Sequence, residues 1–321
     1  NRWVHDYYAH QFFQEPIFDG ILMSKTVIQP RIEELILKSG GIHNFLSLDP
    51  DIPVLGDCGA YSYHKDEAPP YTTIEILDYY ENLGFSYGVS IDHIIFDRFD
   101  PCEQKRRWDI TLHNAADFIE KHRVGDYSFN PVGIAQGKSP ELYAEAVHQL
   151  VAMGYDHLAL GGLARSGDRT IRSVLKAVST ELPDGIELHL FGVARLSLIP
   201  DLMNYGVTMV DSASPIRRAF LGANEDNYWT AGDKSYAAIR IPDATSKRTK
   251  RGISSPEDIL TSNGDIDGEK ALLDLEQQAL KSLRAYDRGQ ATLQETLDAV
   301  LRYDRLFGDD RDHETWYRRV L

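Results

Sequence analysis

The chain has 321 residues, with 34 Lys and Arg against 49 Asp and Glu and a formal charge of −15. At 42% hydrophobic and 26% charged, it is a folded protein long enough for one large α/β barrel or for two domains. The acidic balance excludes indiscriminate nucleic-acid binding, which needs clustered Lys and Arg, and no apolar run reaches the ~20 residues of a membrane span.

The two cysteines, Cys58 and Cys102, stand in neither CxxC nor metal spacing, which points to a reducing cytoplasm. Eleven histidines are scattered without paired ligand spacing, so no metal is expected from this pattern. No signal peptide is visible. The chain opens on Asn1 rather than methionine, so further N-terminal sequence is expected.

Residues 1–16 are aromatic-rich without periodicity and read as an N-terminal extension packed on the domain. Strand-like runs then alternate with helical ones. Ile21 to Met23 is the first strand and Arg31 to Lys38 a short helix. Ile52 to Leu55 is the second strand, ending in Gly56-Asp57-Cys58-Gly59-Ala60-Tyr61. Ile74, Leu77, Tyr80 and Leu83 recur at helical spacing, and Gly84 stops that helix. Tyr87 to Ile91 is the third strand, ending at Asp92, and a long helix opened by Pro101 runs to about His122.

Pro131 to Ala135 is the fourth strand, ending at Gln136-Gly137. Ser139-Pro140 caps the helix through Met153. His157 to Leu160 is the fifth strand, ending at Gly161-Gly162, and Arg169 to Glu181 is helical. Glu187 to Phe191 is the sixth strand, Leu196 to Tyr205 a short helix and Val207 to Val210 the seventh strand, with Tyr236 to Ile241 a candidate eighth. This alternation predicts a (β/α)8 TIM barrel over residues 17–244. No GxGxxG or GxxxxGK[ST] run supports an open nucleotide-binding sheet. Residues 245–321 read as a basic loop (Ser246 to Gly252, SKRTKRG) followed by an appendage of amphipathic helices, Glu269 to Tyr286 and Leu293 to Leu306.

Asp211 ends the seventh strand and opens Asp-Ser-Ala-Ser-Pro, which by itself reads as a helix N-cap. The other strand ends change that reading. Asp57, Asp92, Gln136, Gly161-Gly162, Phe191-Gly192 and Asp211 all fall where a barrel gathers its chemistry, at the carboxyl ends of strands. Three carboxylates around one pocket repel one another, which raises the pKa of at least one and suits acid/base work.

These residues resemble the tRNA-guanine transglycosylase superfamily. The resemblance rests on Asp57-Cys58-Gly59-Ala60-Tyr61, Asp92, Gly133-Ile134-Ala135-Gln136-Gly137, Leu160-Gly161-Gly162-Leu163-Ala164, Phe191-Gly192-Val193, and Val210-Asp211 with Pro215 and Arg217. The wording GDCGAYSYHKDEAPPY, SIDHIIFD and the C-terminal RAYDRGQATLQETLDAVLRYDRLFGDDRDHETWYRRVL is most like the branch that exchanges guanine in DNA for a 7-deazaguanine (DpdA).

The resemblance implies that Asp211 is a nucleophile forming a covalent glycosyl-enzyme and that Asp57 is the general acid/base. It also implies that Asp92 and Gln136 read the guanine-like edge. Gly161 and Gly162 would let backbone N–H groups approach the base, and Tyr61 and Phe191 would sandwich it. Arg195, Arg217, Arg218 and the basic run's Lys247, Arg248, Lys250 and Arg251 are candidate phosphate contacts. DNA and a free 7-deazaguanine base are the implied partners, with a companion ATPase or nucleic-acid-remodelling protein a further one.

No cofactor is needed for this chemistry. The tRNA enzymes' Cys/His zinc site is missing from this sequence, and a structural zinc is expected only if the natural chain continues past Leu321. Those enzymes also carry an arginine where this chain has Phe220, a departure that favours another nucleic acid. A tRNA-guanine transglycosylase and a non-catalytic nucleic-acid-binding barrel are the alternatives. The second has no need of both Asp57 and Asp211.

Overall fold

A computed structural model of the chain describes residues 8–14, 17–214, 228–229, 235–236, 239–253, 266–307 and 313–321. Contacts divide the chain into two compact units, Asn1–Ser212 and Ala213–Leu321. That division falls upstream of the 244/245 boundary expected from the sequence.

The first unit is built on seven parallel strands in sequential order: β1 (Ile21–Ser24), β2 (Val54–Asp57), β3 (Tyr87–Val89), β4 (Asn130–Ala135), β5 (His157–Leu160), β6 (Glu187–Leu190) and β7 (Val207–Val210). The sheet curls as in a TIM-type barrel. Side chains alternate across it, as the two-residue period of a strand requires. Leu55, Tyr87, Val89, Val132, Ile134 and Ala159 meet inside the curl with Phe191, while residues such as Val54, Leu158 and Leu160 join the layer under the helices.

The crossovers are α1 (Pro30–Lys38), α2 (Ile42–Leu46), α3 (Thr73–Leu83), α4 (Pro101–Gly125), α5 (Pro140–Met153), α6 (Asp168–Val178) and α7 (Ile199–Asn204). Their ends follow the local chemistry. Thr72 and Glu75 form a capping box before α3, and Gly84 closes that helix in the left-handed region at φ 76°. Asp100 caps α4, accepting from the N–H groups of Cys102 and Glu103. The helix α3 seats closely because Gly56 and Gly88, paired across β2 and β3, leave room for Tyr80. A Cβ on either glycine would come within 2.5 Å of that ring.

The second unit has a core of its own, made by α9 (Ile266–Asp287), α10 (Leu293–Asp304) and α11 (His313–Val320) after the short α8 (Lys247–Arg251). Two expectations change here. The basic run expected as a loop is helical over Lys247–Arg251. Of the stretch expected as an eighth strand, Tyr236 pairs antiparallel with Tyr228, in the two-residue strands β8 (Tyr228–Trp229) and β9 (Ser235–Tyr236). Ile241 is buried in the helical core with Ala244, and Tyr303 donates to the Pro242 carbonyl at 2.8 Å. Its apolar residues serve helix packing, so among the described residues the parallel strands number seven.

Of the N-terminal extension, Tyr8 donates to the Phe45 carbonyl at 3.0 Å. No described helix is long and apolar enough to cross a membrane.

Candidate active site at the strand ends

The carboxyl ends of the strands open into a cavity of about 750 Å³. It is lined by Asp57, Tyr61, Asp92, Gln136, Gly161, Gly162, Phe191 and Asp211, so residues spread over nearly half the sequence converge as a barrel requires.

On one side lies a buried polar pair. Asp92 follows β3 and Gln136 follows β4, each 2% exposed. Gln136 Nε2 donates to Asp92 Oδ2 at 2.6 Å, and the Cys58 thiol donates to Asp92 Oδ1 at 3.2 Å. Burial pushes Asp92 up to about 7, the nearby Asp57 charge adds to the rise, and the bonds from Gln136 and Cys58 oppose it. The same burial holds Cys58 as a thiol, with its pKa raised well above the usual range.

Gln136 Oε1 is buried without a hydrogen-bond partner among the described residues. An amide has two N–H groups and a carbonyl, so this side chain keeps one donor and its acceptor for a ligand. Gly161 and Gly162 make the room. A Cβ at Gly161 would lie 2.3 Å from Gln136 Nε2, and one at Gly162, whose φ is 79°, would lie 2.7 Å from Oε1.

A single buried arginine braces this side. Arg107 of α4, 4% exposed, donates to the carbonyls of His64 at 3.0 Å, Ile94 at 3.1 Å and Asp66 at 3.3 Å. It also meets His93 Nδ1 at 2.8 Å and pairs with Glu103 at 2.5 Å. The loop carrying Tyr61 and the loop carrying Asp92 are thereby tied to one helix.

Asp57 ends β2 beside this pair and accepts from the Gly59 N–H at 3.1 Å. Burial raises its pKa, the bonds from Gly59 and Ser24 oppose the rise, and the charge on Asp211 adds to it. Mutual repulsion, expected from the sequence, is present, but burial is the larger cause for both Asp57 and Asp92.

Asp211 follows β7 and is more open than the Asp92–Gln136 pair, its side chain 29% exposed. The strand carries a register shift: Leu188 pairs with Val207 but His189 with Met209. Thr208 fills the bulge, its hydroxyl accepting from the Leu188 N–H at 3.0 Å. Bulges of this kind re-aim the residue beyond them. Asp211 Oδ1 accepts from the Gly192 N–H at 2.8 Å and lies 3.0 Å from His189 Nε2.

Both aromatic candidates line the cavity. Tyr61, half exposed, receives a hydrogen bond from Arg165 at 2.6 Å and stands edge-on to Phe96 at 6.4 Å. The Phe191 ring is 4.6 Å from that of His189.

The phosphate candidates fare differently. Arg195 does not line the cavity; it pairs with Asp168 at 2.5 Å and donates to the carbonyls of Ser166 at 2.8 Å and Ala164 at 3.3 Å. Its guanidinium is a brace for the loop after β5. Arg217 and Arg218 lie outside the described residues, as do Pro215 and Phe220. The backbone of Lys247 and Arg248 is in α8, Lys250 pairs with Glu269 at 2.5 Å, and Arg251 is exposed. The cations that line the cavity are instead Arg98, Lys138 and Arg165.

Sequence reasoning missed these three along with His189, Phe96 and Arg107. Lys138 and Arg165 immediately follow the Gly133–Gly137 and Leu160–Ala164 motifs. His189 lies two residues before Phe191, on the same face of its strand, and that period was the available signal. Nothing local marks Arg107, whose carbonyl partners are far away in sequence.

The chain matches the family profile described as queuine tRNA-ribosyltransferase over residues 15–255. It belongs to that family. A DNA-guanine transglycosylase from Salmonella montevideo is 33% identical over 332 residues, an alignment covering 96% of this chain and 76% of that protein. Queuine tRNA-ribosyltransferases of Streptococcus pneumoniae strains CGSP14 and G54 are 28% identical over 224 residues, covering 62% of this chain and 58% of theirs.

As a member of the queuine tRNA-ribosyltransferase family, the chain is a transglycosylase enzyme. Among the described residues no group of three or more His, Cys, Asp or Glu could hold a metal ion, so the described residues do not fit a structural zinc.

Proposed function

We propose that this transglycosylase exchanges guanine in DNA for a free 7-deazaguanine base, with Asp211 as nucleophile and Asp57 as general acid and base. The observation that carries the chemistry is the pairing of two unlike carboxylates in one cavity. Asp57 is partly buried and desolvation raises its pKa, which suits a group that gives and takes a proton. Asp211, its side chain 29% exposed, takes both of its hydrogen bonds on one oxygen.

The steps balance without a cofactor. A carboxylate oxygen of Asp211 bonds to C1′ as the C1′–N9 bond breaks, and the departing base takes the proton of Asp57. The incoming base returns its N9 proton to Asp57 as N9 attacks C1′ and the ester bond breaks. Two inversions leave the anomeric configuration unchanged.

Asp92 accepts from the N1–H and exocyclic amine of the base, and the remaining N–H of Gln136 donates to O6. Tyr61 and Phe191 cover the ring. The reactive carbon is hidden in stacked DNA, so the nucleotide must be flipped or already unpaired. Arg98, Lys138 and Arg165 are the phosphate contacts favoured by their place on the cavity lining.

The choice of DNA is supported by the 33% identity to the Salmonella protein across nearly the whole chain. The family description and the streptococcal relatives support tRNA as the second reading. Mass spectrometry of nucleosides from DNA and tRNA of cells expressing the protein separates the two. A 7-deazaguanine deoxynucleoside in DNA is the expected product; modification confined to tRNA overturns the DNA reading and leaves the chemistry in place.

A further inference from the structure

The nucleophile reading leaves one buried group unused. His189 is on β6, its side chain 7% exposed, and it points one ring nitrogen at the Asp211 carboxylate. Nε2 is 3.0 Å from Asp211 Oδ1. Nδ1 is buried without a partner among the described residues. These two facts together fix the tautomer. A neutral imidazole has one donor nitrogen and one acceptor nitrogen. A carboxylate oxygen offers no hydrogen, so the proton belongs on Nε2 and the bare nitrogen is Nδ1. A proton on Nδ1 would be a buried donor with nothing to bond, the more costly arrangement.

The Gly192 N–H reaches the same oxygen at 2.8 Å. Oδ1 therefore carries two donors, and among the described residues no hydrogen bond reaches Oδ2. The two oxygens of one carboxylate are made unequal.

We infer that His189 is a positioning residue that, with the Gly192 N–H, pins Asp211 by Oδ1 and so assigns Oδ2 as the atom that bonds to C1′. The inference rests on Asp211 being the nucleophile. Oδ1 becomes the carbonyl oxygen of the glycosyl ester and keeps both donors through the reaction. In the first half the donors draw charge from the carboxylate, which tempers its nucleophilicity but holds it in line with the sugar carbon. In the second half they stabilise the charge returning to the carboxylate as the ester bond breaks. The bulge at Thr208 and the ring of Phe191 against the imidazole keep His189 in this place. A His189 with its second nitrogen unpaired is a cost the fold carries at the nucleophile, where such costs concentrate.

The test compares His189→Phe, which fills the space without a donor, with His189→Gln, whose amide N–H can reach the same oxygen. Asp211→Asn serves as the reference. Base exchange is followed with labelled guanine at saturating and limiting DNA, and folding is checked by melting. The expected result is a kcat about 10- to 100-fold lower in His189→Phe, the loss of one hydrogen bond to a charged group, with KM for DNA changed little. His189→Gln is expected to recover most of that kcat. A folded His189→Phe with wild-type kcat, or His189→Gln as slow as His189→Phe, overturns the positioning role. Full exchange by Asp211→Asn overturns the nucleophile reading instead, so the two failures are told apart.

Discussion

The two sides of the cavity are built to different plans. The Asp92–Gln136 side is buried, cross-bonded and tied by Arg107 to three carbonyls from two loops. The Asp211 side is partly open and held at one oxygen by a histidine and one backbone N–H. The contrast matches what each side is asked to do. Reading a base edge needs fixed donors and acceptors out of water, where an unmatched partner is costly. A nucleophile needs one oxygen fixed and the other free to form a bond. Variants that disturb one side and spare the other therefore separate the two plans.

Asp211→Asn is expected to have the largest effect. It should reduce exchange to background while labelled guanine still binds, because the base side is untouched. Equilibrium binding and exchange measured on the same preparation check this; exchange at the wild-type rate contradicts it.

Arg107→Ala acts on the base side through the fold. Removing this buried guanidinium takes a donor from the His64, Ile94 and Asp66 carbonyls, while Glu103 keeps its pairing with Arg106. Buried carbonyls left unmatched give an expected loss of ~3 kcal/mol in stability. Denaturant unfolding checks this, and a change below ~1 kcal/mol would mean the brace is not structural. His189→Phe, on the other side, should cost far less stability.

Asp92 links the base side to pH. Its folded pKa is raised to about 7, above the ~3.9 of an exposed aspartate. Between about pH 4 and 7 the folded chain therefore keeps a proton that the unfolded chain has lost. The stability contribution of this residue falls as pH rises through that window and is level above it. Asp92→Asn should remove that slope in melting temperature against pH. The ionised carboxylate is the form that accepts from the base, so base affinity should rise with pH through about 7. Asp92→Ala should weaken guanine binding by ~1–3 kcal/mol, and unchanged affinity in that variant contradicts its role.

The smallest expected effect concerns the backbone of the nucleic acid. Neutralising Arg98 and Lys138 by glutamine should flatten the salt dependence of DNA binding by roughly one unit of slope for each phosphate that is no longer paired. Free-base binding should be unchanged. Neutralising Lys247, Arg248, Lys250 and Arg251 instead tests the basic run named from sequence. A slope that moves only in that second set would shift the DNA-binding surface away from the cavity lining.

The strand ends were legible in the sequence because parallel strands end in loops that carry short, distinctive motifs. Asp57, Asp92, Gln136 and Asp211 were each visible from the apolar run before them. The helices were also legible, from the Ser139-Pro140 cap and from the spacing of Ile74, Leu77, Tyr80 and Leu83 before Gly84. The interactions were not. The two donors on Asp211 Oδ1 depend on a one-residue bulge between β6 and β7, which no local pattern announces. Arg107 reads as one charge in a long amphipathic helix until its distant carbonyls are in place. Arg195, named from sequence as a candidate phosphate contact, instead has its donors taken by Asp168 and two carbonyls. Ile239 and Ile241 looked like strand residues because apolar burial in a helical core leaves the same short signature.

A covalent bond between Asp211 and the sugar is the centre of this mechanism, and that bond can be weighed directly. Protein is mixed with a single-stranded deoxyguanosine oligonucleotide without an incoming base, denatured at short times and digested for mass spectrometry. The expected result is an oligonucleotide adduct on the peptide containing Asp211, which disappears when a 7-deazaguanine base is added before quenching. An adduct on Asp57, or exchange that proceeds with no adduct on any aspartate, contradicts the mechanism.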